Sequence, residues 1–95
     1  MGKISIITIC FNSEKSIFQT FQSVKNQSFN NYEYVLIDGG SIDGTLTIAK
    51  NQDHISKLVS EPDNGIYDAM NKGLHHAIGG IISFLNGLGL YIFSF

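Results

Sequence analysis

Apolar and polar positions alternate in blocks along this chain of 95 residues. Residues 3–11 (KISIITICF) are β-branched and almost continuously apolar, which is typical of a strand covered on both faces. Similar runs predict three more strands, at residues 30–38, 57–61 and 80–86. Helices are predicted over the segments between them, at residues 14–27, about 43–51, and 66–78.

The spacing of the apolar residues in the first predicted helix indicates which face packs against the sheet. Ile17, Phe18, Phe21 and Val24 fall on one stripe, which we expect to face the sheet. Phe84, in the fourth predicted strand, is also expected in the core.

Strands that alternate with helices predict an α/β fold with a Rossmann-like, mostly parallel sheet and flanking helices. About four strands and three helices are expected. Ligands of such sheets bind beyond the carboxyl ends of the strands. Polar loops follow the predicted strands there, at residues 11–13, 38–45, 61–65 and from 86 onward. A nucleotide-type ligand is therefore expected, although this placement does not choose one.

Composition narrows the classes of function. The net charge is −2, with six lysines and no arginine, which argues against nucleic-acid binding. The single cysteine, Cys10, excludes an internal disulfide and a cysteine-cluster metal site, and we expect it in the core. The N-terminus lacks the pattern of a signal peptide, so a cytoplasmic protein is expected.

Four motifs carry a family resemblance: ISIITICFN, SVKNQSFNNYEYVLIDGGSIDGT, SEPDNGIYDAMNKGLHHAIG and IISFLN. In their order and spacing they resemble the family-two inverting glycosyltransferases with the GT-A fold. Such enzymes transfer a sugar from a nucleotide-diphosphate donor to an acceptor. The resemblance implies a nucleotide-sugar-binding half at residues 1–86, followed by an apolar tail outside the family pattern at residues 87–95.

The resemblance also implies the residues of the donor site. These are the nucleotide-sugar-binding candidates Thr8, Cys10, Asn12, Asp38, Asn71 and Lys72. Asp38 would contact the uracil or ribose, and Asn71 and Lys72 would approach the phosphates. The backbone at the end of the first strand, at Thr8, Cys10, Phe11 and Asn12, would wrap the base. Asp38 and Asn12 are also turn-forming residue types, so the alternative that they only form turns stays open.

Acidic residues raise the question of a metal. Family members carry acids after the fourth strand that coordinate a divalent cation, manganese or magnesium. Gly87, Leu88 and Gly89 stand at those positions here, so the usual ligands are missing and no metal ligand or catalytic residue is assigned. Glu61, Asp63 and Asp68 form an acidic cluster that could hold magnesium or manganese, and this alternative stays open. Like Asp43, however, they precede or begin predicted helices, where carboxylates are favoured for structural reasons.

The implied function is transfer from a UDP-sugar to a glycan or lipid-linked acceptor in glycan or cell-surface polysaccharide synthesis. We expect this chain to be a truncated, inactive form. A non-catalytic nucleotide-binding module and a membrane-tethered accessory protein stay open as alternatives, the latter associated with the inner face of the membrane. Residues 73–95 carry no Asp, Glu, Lys or Arg, and this apolar tail is expected to produce a homo-oligomer.

Overall fold

The structure, a computed structural model, describes residues 4–26, 31–79, 81–86 and 89–94. The elements in chain order are β1 (Ile4–Cys10), α1 (Ile17–Lys25), β2 (Tyr32–Asp38), α2 (Thr45–Lys50), β3 (Lys57–Ser60), α3 (Ile66–His76), β4 (Ile81–Asn86) and β5 (Gly89–Ser94). Each predicted strand and helix is present, and no observed end differs from the predicted one by more than three residues.

The described strands form one sheet in the order β3-β2-β1-β4-β5. β1 pairs in parallel with both β2 and β4, and β2 pairs in parallel with β3. The chain thus moves outward from β1 to β3 and then returns to the other side of β1. The predicted α/β class with a mostly parallel sheet is confirmed, and the topology switches between β1 and β4, where such sheets bind ligands.

Helices cover both faces of the sheet. α1 and α2 pack on the face that carries Ile6, Cys10, Tyr34 and Leu36. α3 packs on the opposite face, against Ile7, Val35 and Ile37. The two faces explain why the strands are almost continuously apolar, because successive side chains point into different cores.

α1 differs from the prediction at its start and in one core residue. The backbone N–H groups of Ser16 and Ile17 both donate to the Ser13 carbonyl, which makes a turn before the helix begins at Ile17. The residues at positions 17, 21 and 24 are buried, whereas Phe18 is 52% exposed. The prediction of Phe18 in the core was wrong, since a neighbour of Ile17 is rotated about 100° away from the sheet. The side chain of Phe84 lies outside the part that is described.

The apolar tail contributes backbone to the edge of the sheet. β5 pairs antiparallel with β4, from Ile81 opposite Ser94 to Asn86 opposite Gly89. This strand is the addition to the four predicted. Among the described residues, no helix has the length and apolar character needed to cross a membrane.

Candidate functional site

Asp38 is the centre of the polar contacts at the carboxyl edge of the sheet. It is the last residue of β2, and its side chain is fully buried. Five donors reach its two oxygens. Oδ1 accepts from Cys10 Sγ at 3.3 Å and from Ser41 Oγ at 2.5 Å, while Oδ2 accepts from Ser60 Oγ at 2.8 Å and from the backbone N–H groups of Gly40 and Ser41. Asp38 therefore joins the ends of β1, β2 and β3.

These contacts fix the protonation states of Asp38 and Cys10. Burial acts to raise the pKa of Asp38, but the hydrogen bonds from Ser41, Ser60 and Cys10 outweigh it, and the pKa is lowered. Burial raises the pKa of the Cys10 thiol, and the adjacent Asp38 charge raises it further. Asp38 is thus a carboxylate and Cys10 a thiol at neutral pH. Cys10 is buried, as predicted.

Asn12 joins the loops that follow β1 and β2. Its Oδ1 accepts the Ile42 N–H at 2.9 Å, and its own N–H donates to Ser41 Oγ at 2.8 Å. Asn12 has a φ of 46°, in the left-handed region that asparagine tolerates better than most residues. Asn12 is therefore a turn residue here, and its exposed position also places it at the surface of this edge.

A second set of contacts holds the same two loops together. Asp43 Oδ1 accepts from the N–H and the hydroxyl of Thr45, and Asp43 Oδ2 accepts the Glu14 N–H. In return, Glu14 Oε2 accepts the Gly44 N–H at 3.0 Å. The Ser13 N–H donates to Thr45 Oγ1 at 2.7 Å. These contacts support the structural role predicted for Asp43.

Thr8 lies deeper than the other donor-site candidates. Its side chain is buried, and its Oγ1 is 2.6 Å from the hydroxyl of Tyr34 on the neighbouring strand. This places the Thr8 hydroxyl in the core beneath the edge, on the same sheet face as Cys10.

The two candidates on α3 differ in their surroundings. Lys72 Nζ donates to the Pro62 carbonyl at 2.9 Å and forms ion pairs with Glu61 at 3.2 Å and Asp68 at 3.7 Å. Asn71 is exposed, and its side chain makes no hydrogen bond within the described residues. The Glu61 N–H donates to the Asp38 carbonyl at 3.0 Å. The loop after β3, which contacts Lys72, is therefore attached to the edge around Asp38.

The side chains of Phe11 and Asp63 were not among the six donor-site candidates, although both lie beside Gly39. A Cβ atom added at Gly39 would lie 2.9 Å from Asp63 Oδ2 and 3.4 Å from Phe11 Cδ1. Phe11 is 58% exposed. Gly39 was the signal in the sequence. A glycine can indicate that other side chains pack closely against the backbone, as well as a turn.

The described residues do not fit the divalent cation implied by the family. No three His, Cys, Asp or Glu side chains among them are grouped as metal ligands. Gly89 begins β5, and Gly87 and Leu88 lie outside the described residues.

The chain is similar to known proteins over most of its length. Residues 5–87 match the family described as glycosyl transferase family 2. The chain belongs to this family. The predicted resemblance and the GT-A fold are thereby confirmed.

The relatives of this family member are glycosyltransferases. A Mycobacterium tuberculosis protein named uncharacterized glycosyltransferase Rv1514c is 39% identical over 85 residues, which cover 87% of this chain and 32% of the relative. The chain thus spans about a third of the length of such relatives.

Two solved glycosyltransferase structures share its fold. S. aureus TarS 1–349 in complex with UDP-GlcNAc is 29% identical, with a TM-score of 0.80, over 88% of this chain and 26% of that one. The mannosyltransferase PcManGT from Pyrobaculum calidifontis, in complex with GDP-Man and Mn²⁺, is 25% identical, with a TM-score of 0.80, over 90% and 27%.

Proposed function

We propose that this chain binds a UDP-sugar at the carboxyl edge of its sheet, as the nucleotide-sugar-binding half of a GT-A glycosyltransferase. The observation that carries the proposal is the convergence of three strand ends on the Asp38 carboxylate. It holds the loops after β1, β2 and β3 together at the edge where parallel sheets bind ligands. The complexes of TarS with UDP-GlcNAc and of PcManGT with GDP-Man support a nucleotide sugar as the ligand.

The six candidates take different parts in the proposal. Asp38, Cys10 and Thr8 are buried, so we assign them to holding the backbone that contacts the nucleotide. A direct contact of Asp38 with the base or ribose would have to displace a serine hydroxyl. Asn12 and Asn71 are exposed and are proposed to touch the donor. Lys72, which lies on α3 and pairs with Glu61 and Asp68, is proposed to reach the phosphates.

The wider proposal concerns the role of the whole protein. We propose that residues 1–86 are the donor-binding unit and that residues 87–95 are an apolar tail outside the family pattern. The acceptor is a glycan or a lipid-linked molecule, the location is the cytoplasm, and the chain forms a homo-oligomer. Because Gly87, Leu88 and Gly89 cannot supply carboxylate ligands, we propose that this chain binds the donor without transferring the sugar.

Calorimetry of UDP with the complete chain tests the donor site. We expect UDP to bind, and we expect Asp38→Ala to weaken binding by about 1–3 kcal/mol because the loops lose their common acceptor. Circular dichroism establishes that the variant is folded, and Asn12→Ala, in an exposed loop, serves as a second variant. Asp53→Ala removes a carboxylate before β3, on the side away from the site, and should leave the affinity unchanged. Absence of UDP binding would overturn the proposal.

A manganese titration in the same assay tests the absence of the family's metal site. Manganese should change the UDP affinity of the unaltered chain little. The triple variant Gly87→Ser, Leu88→Asp, Gly89→Asp should make the affinity depend on manganese. A strong manganese effect in the unaltered chain would show that other acids serve as ligands.

A further inference from the structure

Asn64 and Gly65 form an asparagine–glycine pair in the loop between β3 and α3. Both residues are exposed, and the side-chain amide of Asn64 makes no hydrogen bond within the described residues. Gly65 has a φ of 112°, and no heavy atom of the described residues lies within 4 Å of the position that its Cβ would take. The Asn64 side chain can therefore turn towards the Gly65 backbone nitrogen, and no side chain on Gly65 blocks the approach.

The Gly65 nitrogen has an acceptor for its proton. Its N–H donates to Asp63 Oδ1 at 3.2 Å, which is within the reach of a general base. On the other side of Asn64, its own N–H donates to Asp68 Oδ2 at 2.9 Å and fixes the backbone there. An amide carbon, an unhindered nitrogen and a proton acceptor thus lie together in one loop, and these are the parts that an intramolecular attack requires.

We propose that Asn64 is a site of spontaneous deamidation. The Gly65 nitrogen forms a bond to Cγ of Asn64 and gives its proton to Asp63. Asp63 passes this proton to the side-chain nitrogen, which leaves as ammonia, and a five-membered succinimide remains. A water molecule from the solvent then adds its hydroxyl to one of the two ring carbonyl carbons, whose bond to the ring nitrogen breaks, and its proton goes to that nitrogen. Opening at Cγ gives aspartate, and opening at the main-chain carbonyl gives isoaspartate.

Three other asparagines lack this combination. Asn12 Oδ1 accepts the Ile42 N–H, which holds the Asn12 side chain in place. Asn71 lies within α3, so the nitrogen that would attack belongs to the helix backbone. Asn86 is also followed by a glycine, but it lies in β4 and is paired with Gly89 of β5. The structure therefore separates Asn64 from Asn86, which the dipeptide sequence alone does not.

Deamidation alters a loop at the carboxyl edge of the sheet. Isoaspartate lengthens the main chain at residue 64 by one carbon atom, and either product adds a carboxylate beside Asp63 and Asp68. This loop is attached to the edge by the hydrogen bond from the Glu61 N–H to the Asp38 carbonyl. We therefore expect the converted chain to bind UDP more weakly. This consequence rests on the proposed function, whereas the modification itself does not.

Peptide mass spectrometry of the complete chain, incubated at neutral pH and sampled over time, tests the site. Asn64 should convert at least about tenfold faster than Asn12, Asn71 and Asn86, because a small misplacement of reacting atoms has a large effect on rate. In urea, where the fold is lost, Asn64 and Asn86 should convert at similar rates, since both precede a glycine. An isoaspartate-specific methyltransferase should label the aged chain far more than aged Asn64→Gln, whose longer side chain cannot form the five-membered ring.

Two aspartate variants test the proton acceptor. Asp63→Ala should slow the conversion of Asn64 at least about tenfold, because the group that takes the proton is gone. Asp53→Ala removes the same charge from a side chain that is 82% exposed, and it should leave the rate unchanged. Equal rates at Asn64 and Asn86 in the folded chain would overturn the inference. An unchanged rate in Asp63→Ala would overturn the role of Asp63 in it.

Calorimetry tests the consequence separately from the modification. The aged chain should bind UDP more weakly than the fresh chain, whereas aged Asn64→Gln should bind UDP as its fresh form does. Conversion of Asn64 with an unchanged UDP affinity would overturn the consequence. Absence of UDP binding by the fresh chain would overturn the proposed function and leave the deamidation site standing.

Discussion

Glu33 is a buried carboxylate whose removal should destabilise the fold far from the donor site. It lies near the start of β2, is 3% exposed, and pairs with Ser5 of β1 across the sheet. Its Oε2 accepts from Ser5 Oγ and from the Ile78 N–H, both at 2.6 Å. Lys57 Nζ is 3.6 Å from Oε1. Glu33 thus ties the connection between α3 and β4 to the centre of the sheet.

The size of the effect follows from these contacts. A hydrogen bond to a charged group contributes about 1.5–3 kcal/mol, and Glu33 accepts two of them, from Ser5 and from Ile78. We therefore expect Glu33→Ala to lower the free energy of unfolding by about 3–5 kcal/mol. Glu33→Gln keeps one acceptor oxygen and should cost about 1–2 kcal/mol, because the ion pair with the partly exposed Lys57 is weak.

Urea unfolding followed by circular dichroism at pH 7 measures these differences. Glu61→Ala is the control, since Glu61 carries the same charge on a side chain that is 55% exposed, and it should cost no more than about 0.5 kcal/mol. A loss of less than about 1 kcal/mol in Glu33→Ala would refute the energetic argument.

The pH dependence gives an independent test of Glu33. Burial acts to raise its pKa, but the hydrogen bonds from Ser5 and Ile78 and the charge of Lys57 outweigh it, and the pKa is lowered. A lowered folded-state pKa means that the carboxylate stabilises the fold above the unfolded value of about 4.3. That contribution is lost as the pH falls through the folded-state value. The difference between the unaltered chain and Glu33→Gln should therefore shrink below about pH 4, and a constant difference would refute the assignment.

Two further predictions concern the packing on each face of the sheet. Gly73→Ala places a Cβ 2.7 Å from Ile7 Cγ2, so it should lower the free energy of unfolding by about 1–3 kcal/mol in urea denaturation. An increase, as helix propensity alone would give, would contradict this close packing of α3. The buried, protonated thiol of Cys10 should react with a disulfide reagent at least about 100-fold more slowly in the folded chain than in urea. Similar rates in the two conditions would show that the thiol is accessible.

Most of the fold could be predicted because its strands are buried on both faces. A strand such as β1 needs apolar residues at nearly every position, and this pattern identified residues 3–11, within one residue of each observed end. Helix ends were less predictable, because they depend on local turns such as the one that Ser13 makes before α1. Glu33 was not recognised, since its partners lie 28 and 45 residues away in sequence.

The candidate donor site was predictable in its position and less so in its contacts. The end of β2 had to lie at the carboxyl edge, and Asp38 does. The Asp38 oxygens accept hydrogen bonds from protein donors. One of these donors, Ser60, lies 22 residues away in the sequence and could not be anticipated. A carboxylate at a strand end can serve a ligand or the loops, and residue type alone does not distinguish the two.

The acids of the loop after β3 show how the structure separates roles that sequence reasoning left together. Glu61, Asp63 and Asp68 all precede or begin α3, where negative charge is favoured in any protein. Lys72 neutralises the first and the last of them, and Asp68 also accepts the Asn64 N–H, so these two carboxylates have structural partners. Asp63 keeps one oxygen without a partner within the described residues, and that oxygen lies against the bare backbone of Gly39. The same charge at residues 61, 63 and 68 thus has different partners, and residue type alone could not have distinguished them.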